Sequence, residues 1–321
     1  MKRQLGVIFM GTPEFAAESL RQISLSNHHI LAVVTAPDKP AGRGQKVKQS
    51  EVKQEAVRLG VPLLQPAKLK DVDFINAIQQ LNPDVIVVVA FRMLPKDIWS
   101  IPKLGTFNLH ASLLPQYRGA APINWAIING EKETGNTTFF INEEIDKGKL
   151  IFQETVAIGP DETAGELHDR LMASGAKLVV KTLDALAANS VLAIDQPPSQ
   201  KNEPNGAPKI FKDDCRIEWA NSSATIFNLI RGLSPYPAAW AALVSSATNE
   251  EIPVKIFMAH CSTSEIAGTP GSIVSDGKTY LQVLTSDGAI YINEIQLAGK
   301  KRMTTEEFLR GFKNIEIYRF S

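Results

Sequence analysis

The chain has 321 residues, of which 44% are hydrophobic and 21% charged, a composition typical of a globular protein that is large enough for two domains. Its 34 basic residues balance 34 acidic ones, so any attraction to nucleic acid or membrane must come from local patches. Two cysteines, Cys215 and Cys261, exclude a disulfide framework and a cysteine-rich zinc site, and we expect ordinary thiols in a reducing cytoplasm.

Strands and helices alternate over the first 190 residues. We predict strands over 5–10, 30–35, 85–89, 107–110, 137–141 and 150–156, and helices over 13–24, 51–59, 71–81, 121–129 and 163–188. Residues 36–49 are predicted to be a polar, glycine-containing loop. This alternation indicates an α/β domain with a Rossmann-like, parallel-rich sheet, whose ligand site would lie beyond the carboxyl ends of the strands.

The amino terminus favours a first β-strand over a signal peptide, because its apolar run is short and no small-residue cleavage site follows. The longest apolar run, residues 85–91, is much too short to span a bilayer. We therefore expect a cytoplasmic protein that does not bind membranes.

The pattern changes after residue 189. Residues 196–208 are rich in proline, glycine and polar residues, as in a linker. A helix is predicted over 223–233, followed by strands over 238–244, 254–259, 271–275, 280–285 and 290–297, with Asp-Gly turns between some of them. We predict a first domain over 1–189, a linker over 190–208, and a small OB-like β-barrel domain over 209–321.

Three polar residues stand out in the segment 107–148. Asn108 and His110 are two apart on a predicted strand, so both side chains point to one face near the strand end. With the carboxylate of Asp146, they form a candidate set for proton transfer and oxyanion stabilisation. Each residue alone has an ordinary structural reading: a hydrogen-bonded histidine, a strand-end asparagine and an aspartate in a turn.

The same segment resembles the formyltransferases that use 10-formyltetrahydrofolate. The shared pattern is N-x-H-x-S-L-L-P, here Asn108 to Pro115, followed by D-x-G, here Asp146 to Gly148. Further stretches are similar to the methionyl-tRNA formyltransferase family, namely FMGTPEFA (9–16), APDKPAGRGQK (36–46), YRGAAPINWAIINGE (117–131), APKI (207–210), IRGLSPYPAAW (230–240) and LAGKKRM (297–303).

This resemblance implies a catalytic centre of Asn108, His110 and Asp146 that needs no metal. Asn108 would donate to the formyl oxygen, and His110 would donate to the oxyanion or move a proton. Asp146 would orient the imidazole and accept a proton through water. The formyl donor, 10-formyltetrahydrofolate, would lie against Phe91, Arg92, Met93, Leu94, Ser112, Leu113, Leu114 and Pro115.

Two points about that folate surface stay open in the sequence. Phe91-Arg92 stands where the family usually has Tyr-Gly, so the role of Arg92 is not fixed. For Met93 and Leu94, the alternative interpretation is that they simply pack in the hydrophobic core.

The resemblance also implies initiator methionyl-tRNA as substrate and a monomeric enzyme that supplies formylmethionyl-tRNA for translation initiation. The basic residues implied to contact tRNA are Arg43, Lys46, Lys48, Lys209, Lys300 and Lys301. On composition alone, residues 38–53 would be a solvated loop. Two alternatives are formyl transfer to a small amine, and an RNA-binding module with a degenerate folate domain; the intact Asn108, His110 and Asp146 argue against the second.

Overall fold

A computed structural model of the chain describes residues 3–41, 46–198, 204–262 and 268–321. The chain divides into two compact units. The first comprises Met1–Gly119, Thr134–Ala157 and His168–Ala207, and the second comprises Ala120–Glu133, Ile158–Leu167 and Pro208–Ser321. The domain limits inferred from the sequence stay a prediction, and most of the described residues of the predicted linker, 190–198 and 204–207, lie with the first unit.

Up to residue 207 the described chain has eleven strands and six helices. The strands are β1 (Gly6–Gly11), β2 (His29–Val34), β3 (Lys39–Ala41), β4 (Lys46–Lys48), β5 (Leu63–Leu64), β6 (Val85–Val89), β7 (Thr106–His110), β8 (Arg118–Gly119), β9 (Glu133–Phe140), β10 (Leu150–Ala157) and β11 (Gly206–Ala207). The helices are α1 (Glu14–Ser24), α2 (Glu51–Leu59), α3 (Val72–Gln80), α4 (Lys96–Trp99), α5 (Pro122–Ile128) and α6 (Ala164–Ala187).

The main sheet of the first unit has the order β10-β9-β7-β6-β1-β2-β5. The β1/β2, β1/β6, β2/β5 and β6/β7 pairs are parallel, and β7/β9 is antiparallel, which confirms the predicted parallel-rich sheet. Strand β6 is buried along its whole length, as its β-branched run predicts. Because Val89 pairs with Leu109, the segments that follow β6 and β7 start side by side at the carboxyl edge of the sheet.

The structure adds short elements to the predicted ones. Strands β3 and β4 pair antiparallel within the predicted 36–49 loop, with Lys39 opposite Lys48. Strand β5 and helix α4 are two and four residues long, so neither is long enough to show a periodic apolar pattern in the sequence.

The second unit is built around one antiparallel sheet. After residue 207 the elements are α7 (Ser223–Leu233), β12 (Ala239–Ser245), β13 (Glu251–Cys261), β14 (Ile273–Ser275), β15 (Leu281–Leu284), β16 (Ala289–Leu297), β17 (Met303–Thr304), α8 (Thr305–Gly311) and β18 (Tyr318–Phe320). The strand order is β14-β15-β16-β13-β12-β18, with β17 also paired to β16.

The two ends of this sheet meet. Ser272, beside β14, forms an antiparallel bridge with Arg319 of β18, and the Phe320 amide donates to the Gly271 carbonyl at 2.8 Å. The sheet therefore curls almost into a barrel around a core that includes Ile256, Val283 and Phe308, which confirms the predicted small β-domain. Helix α8 was not predicted, although Thr304 and Glu307 form a capping box at its start.

Among the described residues, no helix is long and apolar enough to cross a membrane.

The Asp276-Gly277 turn between β14 and β15 gives a test of the second unit. The side chain and backbone of Thr279, followed by the backbone of Lys278, donate to the Asp276 carboxylate and hold its pKa well below its usual value. Because the pKa is lower in the folded chain, this stabilisation is present above about pH 4 and is lost as the pH falls through the folded-state value.

We expect Asp276→Asn to lower the melting temperature at pH 7, because the uncharged amide is a weaker acceptor. The difference from the original chain should narrow progressively below about pH 4. Thermal unfolding followed by circular dichroism from pH 7 to pH 3 measures this difference. Glu250→Gln, at an exposed residue, is the control, and a gap of constant size across the pH range would contradict the assignment.

Candidate functional site

Asn108 and His110 lie on β7, which is flanked by β6 and β9. The two-residue spacing places both side chains on one face of the strand, as predicted. His110 is 7% exposed, whereas Asn108 is half-buried. The Asn108 side chain forms no hydrogen bond with any residue in the described ranges, so its amide is available to a ligand.

The imidazole of His110 is oriented by a main-chain group. Its Nε2 lies 2.8 Å from the carbonyl oxygen of Tyr117. A carbonyl only accepts hydrogen bonds, so Nε2 carries the proton of this contact, and in the neutral ring Nδ1 carries the lone pair. Tyr117 has a φ of 58°, a backbone conformation that turns the chain after the cis peptide between Leu114 and Pro115.

Asp146 lies in the loop between β9 and β10, with a φ of 54°. Its Oδ2 accepts from the Gly119 amide at 3.0 Å, and its main-chain oxygen accepts from Arg118 Nε at 3.1 Å. No hydrogen bond joins Asp146 to His110 among the described residues. The orientation of the imidazole, which the sequence attributes to Asp146, is supplied here by Tyr117; the role of Asp146 as a proton acceptor through water stays a prediction.

Both polar groups are therefore anchored to one turn, residues 117–119, which we call the site turn. The site turn is held by residues of the predicted linker: Tyr117 N donates to the Asn205 carbonyl at 2.6 Å, and β8 pairs in parallel with β11. Gly119 has a φ of 127°, and a Cβ at this position would lie 2.4 Å from the Ala207 carbonyl oxygen. Glycine is thus required here by the backbone conformation and by the close approach of β11.

The motif residues from Ser112 to Pro115 form a loop whose own side chains are mostly buried. Ser112, Leu114 and Pro115 are buried, and Leu113 is partly exposed. The Ser112 hydroxyl donates to the Gln116 carbonyl at 2.6 Å. These side chains shape the loop, so a ligand would meet its backbone and Leu113.

Two residues outside the motif hold this loop. The buried Thr137 hydroxyl donates to the Ser112 carbonyl at 2.6 Å and accepts from the Leu114 amide at 3.2 Å. Gln153 donates to that hydroxyl at 3.1 Å and to the Leu114 carbonyl at 2.8 Å. The hydroxyl has one donor and two acceptor positions, and all are used. Sequence reasoning did not find Thr137 or Gln153, because both lie on strands distant in the chain.

The segment after β6 divides into buried and exposed residues. Leu94 is buried and packs in the hydrophobic core of the first unit, as its alternative interpretation predicts. Met93, in contrast, is 77% exposed. Phe91 is partly buried, and the Arg92 guanidinium lies 5.3 Å from the centre of its ring. Of the predicted folate-binding residues in this segment, only Phe91, Arg92 and Met93 have exposed or partly exposed side chains that a ligand could contact.

Arg92 ties this segment to the one that follows β5. Its two terminal nitrogens donate to the carbonyls of Pro66 at 2.9 Å and Ala67 at 3.2 Å. Its Nε is buried and has no hydrogen-bond partner among the described residues. A buried donor without a partner is costly in the free chain, which makes this N–H a candidate for a ligand oxygen.

The predicted tRNA contacts fall in both units. Arg43 lies outside the described residues, as does the side chain of Lys46, while Lys48 is 68% exposed and lies 3.3 Å from Glu51. Lys209, Lys300 and Lys301 are exposed in the second unit. Within the described ranges, no group of three or more histidine, cysteine, aspartate or glutamate residues is arranged to hold a metal ion.

Known proteins match this chain along its whole length. Residues 3–183 match the sequence profile of the family described as "Formyl transferase", and residues 209–313 match "Formyl transferase, C-terminal domain". The chain is 49% identical over 321 residues to a protein named methionyl-tRNA formyltransferase from Bacteroides thetaiotaomicron, covering 100% of this chain and 99% of that one. It is also 49% identical over 308 residues to one of the same name from Flavobacterium johnsoniae, covering 96% of each.

Solved structures share the fold at lower identity. An N-formyltransferase from Helicobacter canadensis, in complex with folinic acid and dTDP-3-aminofucose, has a TM-score of 0.66 at 20% identity, covering 90% of this chain and 99% of that one. HypX from Aquifex aeolicus in complex with tetrahydrofolic acid has a TM-score of 0.62 at 18% identity. That match covers 95% of this chain and 47% of HypX, so this chain corresponds to about half of that protein.

The geometry of the site turn makes a prediction about stability. We expect Gly119→Ala to lower the free energy of unfolding by about 2–4 kcal/mol, because it combines a strained φ with a clash against the Ala207 carbonyl. Gly60→Ala is the matched control, since Gly60 also has a positive φ but a Cβ there would meet nothing within 4 Å. That control should cost only about 1 kcal/mol. Equal losses in urea unfolding of the two variants would contradict the close β8–β11 contact.

Proposed function

The chain belongs to the formyl transferase family, and on this basis we propose that it transfers the formyl group of 10-formyltetrahydrofolate to the α-amine of methionyl initiator tRNA. The product, N-formylmethionyl-tRNA, serves translation initiation. The observation that carries this proposal is the 49% identity, along the full length of both chains, to a protein named methionyl-tRNA formyltransferase. We further propose that the enzyme acts as a monomer in the cytoplasm.

The reaction requires the site to move a proton, to hold the amine in its neutral form and to stabilise an oxyanion. A bond forms between the α-amine nitrogen and the formyl carbon, the bond from that carbon to the folate nitrogen breaks, and the amine proton passes to the folate nitrogen. An α-amine has a pKa near 8, so the site must also favour its neutral, nucleophilic form. The tetrahedral intermediate carries a negative oxygen that requires a hydrogen-bond donor.

Asn108 is suited to stabilise that oxygen. Its half-buried side chain has no hydrogen-bond partner among the described residues, so its NH₂ group can donate to the developing oxyanion without first breaking another contact. One well-aimed donor of this kind typically lowers a barrier by roughly 3–4 kcal/mol. Its position on a strand of the central sheet fixes the amide relative to His110.

His110 is suited to move the proton. With Nε2 donating to Tyr117, the Nδ1 of the neutral ring is an acceptor for the proton that the attacking amine loses. The same Nδ1–H can then donate to the leaving nitrogen. Asp146, whose carboxylate is held by the Gly119 amide, would accept a proton through water and stabilise the imidazolium.

The residues after β6 and β7 fit a folate. Phe91, Met93 and Leu113 offer partly exposed or exposed apolar surface at the carboxyl edge of the sheet. The free Nε–H of Arg92 can donate to a ligand oxygen. Backbone groups of residues 112–115 can read the donor and acceptor edge of a pterin, since their loop is fixed by Thr137 and Gln153.

A surface in the second unit supports the proposal of RNA binding. Lys209 lies 5.3 Å from the ring of Phe211, an exposed aromatic residue, and Lys212 and Arg216 lie over Trp240 at 5.4 and 5.6 Å. Interleaved cations and aromatic rings are suited to phosphates and bases. We propose that this surface acts with Arg43, Lys46, Lys48, Lys300 and Lys301 on the tRNA.

The proposed function is tested by mixing the protein with 10-formyltetrahydrofolate and methionyl initiator tRNA and separating the aminoacyl product by chromatography. Formylmethionyl-tRNA is the expected product. Uncharged tRNA and methionyl elongator tRNA serve as controls. Turnover of an amino sugar or a purine precursor, without a tRNA product, would assign the chain to small-amine formylation instead.

We expect His110→Ala to lower kcat by about 10²–10⁴-fold, the usual contribution of a general acid–base group. Its affinity for tRNA should stay within about twofold of the original, because the basic residues are unchanged. His29→Ala, at an exposed residue at the start of β2, should keep full activity. A fully active His110→Ala enzyme would remove this residue from the proton transfer.

We expect Arg43→Ala and Lys209→Gln each to raise the KM for tRNA and to reduce the slope of log affinity against log salt by about one, since each removes one phosphate contact. The affinity for the folate should not change. Lys103→Gln, at an exposed residue before the amino end of β7, is the control. A variant whose salt dependence equals that of the control would not contact the tRNA backbone.

A further inference from the structure

One side chain of the predicted linker, that of Gln196, forms three hydrogen bonds with Arg118 and with the loop that carries Asp146. Gln196 Nε2 donates to the main-chain oxygens of Asp146 at 2.7 Å and Gly148 at 2.9 Å. Its Oε1 accepts from Arg118 Nη2 at 2.5 Å. Two donated bonds and one accepted bond from a single terminal group require a side-chain amide, which glutamate, methionine and lysine cannot provide.

The backbone that Gln196 holds is in a conformation that needs external support. Asp146 has a positive φ of 54°. A Cβ at Gly148 would lie 1.6 Å from the Phe140 carbonyl oxygen, so the chain passes very close to the end of β9. A non-glycine residue at positive φ persists only where surrounding contacts determine it.

Arg118 completes this arrangement. Its Nε donates to the Asp146 carbonyl while its Nη2 donates to Gln196, so the three residues form a closed set of hydrogen bonds. The next residue, Gly119, donates its amide to the Asp146 carboxylate. The residue before Arg118, Tyr117, supplies the carbonyl that orients His110. A displacement of Asp146 from the site turn would therefore also change its position relative to the imidazole.

We propose that Gln196 is a positioning residue for formyl transfer: it locks the Asp146 loop to Arg118 and thereby fixes the Asp146 carboxylate relative to His110. This inference rests on the function proposed above and assigns part of the active site to a segment that the sequence presents as a linker. Gln196 touches neither the formyl donor nor the amine in this scheme. Its effect should appear in turnover and leave the affinity for both substrates unchanged.

The decisive variant is Gln196→Met, which keeps the length of the side chain and removes all three hydrogen bonds. We expect kcat to fall by about 10–100-fold, as expected when a catalytic group is displaced by about an ångström. The KM values for the formyl donor and for methionyl-tRNA should stay within about twofold. Asp195→Asn is the matched control, because Asp195 is adjacent in the chain, its side chain is 85% exposed, and its pair with Lys149 is 3.6 Å long.

A double-mutant cycle separates positioning from a general loss of stability. Arg118→Met and Gln196→Met break the same set of bonds around Asp146, so the double variant should lose little more kcat than the worse single variant. His29→Ala combined with Gln196→Met should be additive. Additive losses for the Arg118 and Gln196 pair would overturn the proposal.

Further measurements distinguish a failure of the positioning role from a failure of the proposed function. If Gln196→Met does not fold, Gln196→Asn, which is one methylene too short to reach both carbonyls, should show the same loss of kcat with a near-normal melting temperature. If the original chain makes formylmethionyl-tRNA and the folded Gln196 variants match it in kcat, the positioning role fails while the proposed function stands. If the original chain makes no product, the proposed function itself fails.

Discussion

The hydrogen bond from His110 Nε2 to the Tyr117 carbonyl is the contact on which the rest of the site depends. It fixes the imidazole by a main-chain group, so the ring is oriented only when residues 117–119 have their observed conformation. The same turn presents the Gly119 amide to Asp146. One three-residue segment thus sets both the tautomer of the histidine and the place of the carboxylate, and the parallel pairing of β8 with β11 fixes that segment.

The sequence predicted those parts of the molecule that depend on local pattern. Strand β6 and helices α2 and α7 have their predicted limits, because an unbroken β-branched run and a serine cap each act within a few residues. The common face of Asn108 and His110 follows from strand periodicity alone. Contacts across long stretches of chain, such as Gln196 with Asp146 or Thr137 with Ser112, have no local pattern and appeared only in the structure.

The motif between Asn108 and Pro115 combines two kinds of residue that look alike in a sequence. Asn108 and His110 offer polar groups to reactants, whereas Ser112 and Leu114 are buried and shape the loop between them and the site turn. Arg92 also combines two roles: two of its five N–H groups donate to carbonyls of a neighbouring loop, and its buried Nε–H has no partner among the described residues, so a ligand oxygen could be directed toward it.

The pairing of β11 with β8 limits where the chain can be cut into fragments or joined to a domain of another protein. A fragment ended at the predicted domain limit, residue 189, would lack the strand that covers Gly119 and the carbonyl that receives the Tyr117 amide. A catalytic fragment would therefore have to extend at least through Ala207. Chimeras that exchange carboxy-terminal domains between relatives should be joined after that residue, since an earlier junction would give one parent's site the other parent's supporting strand.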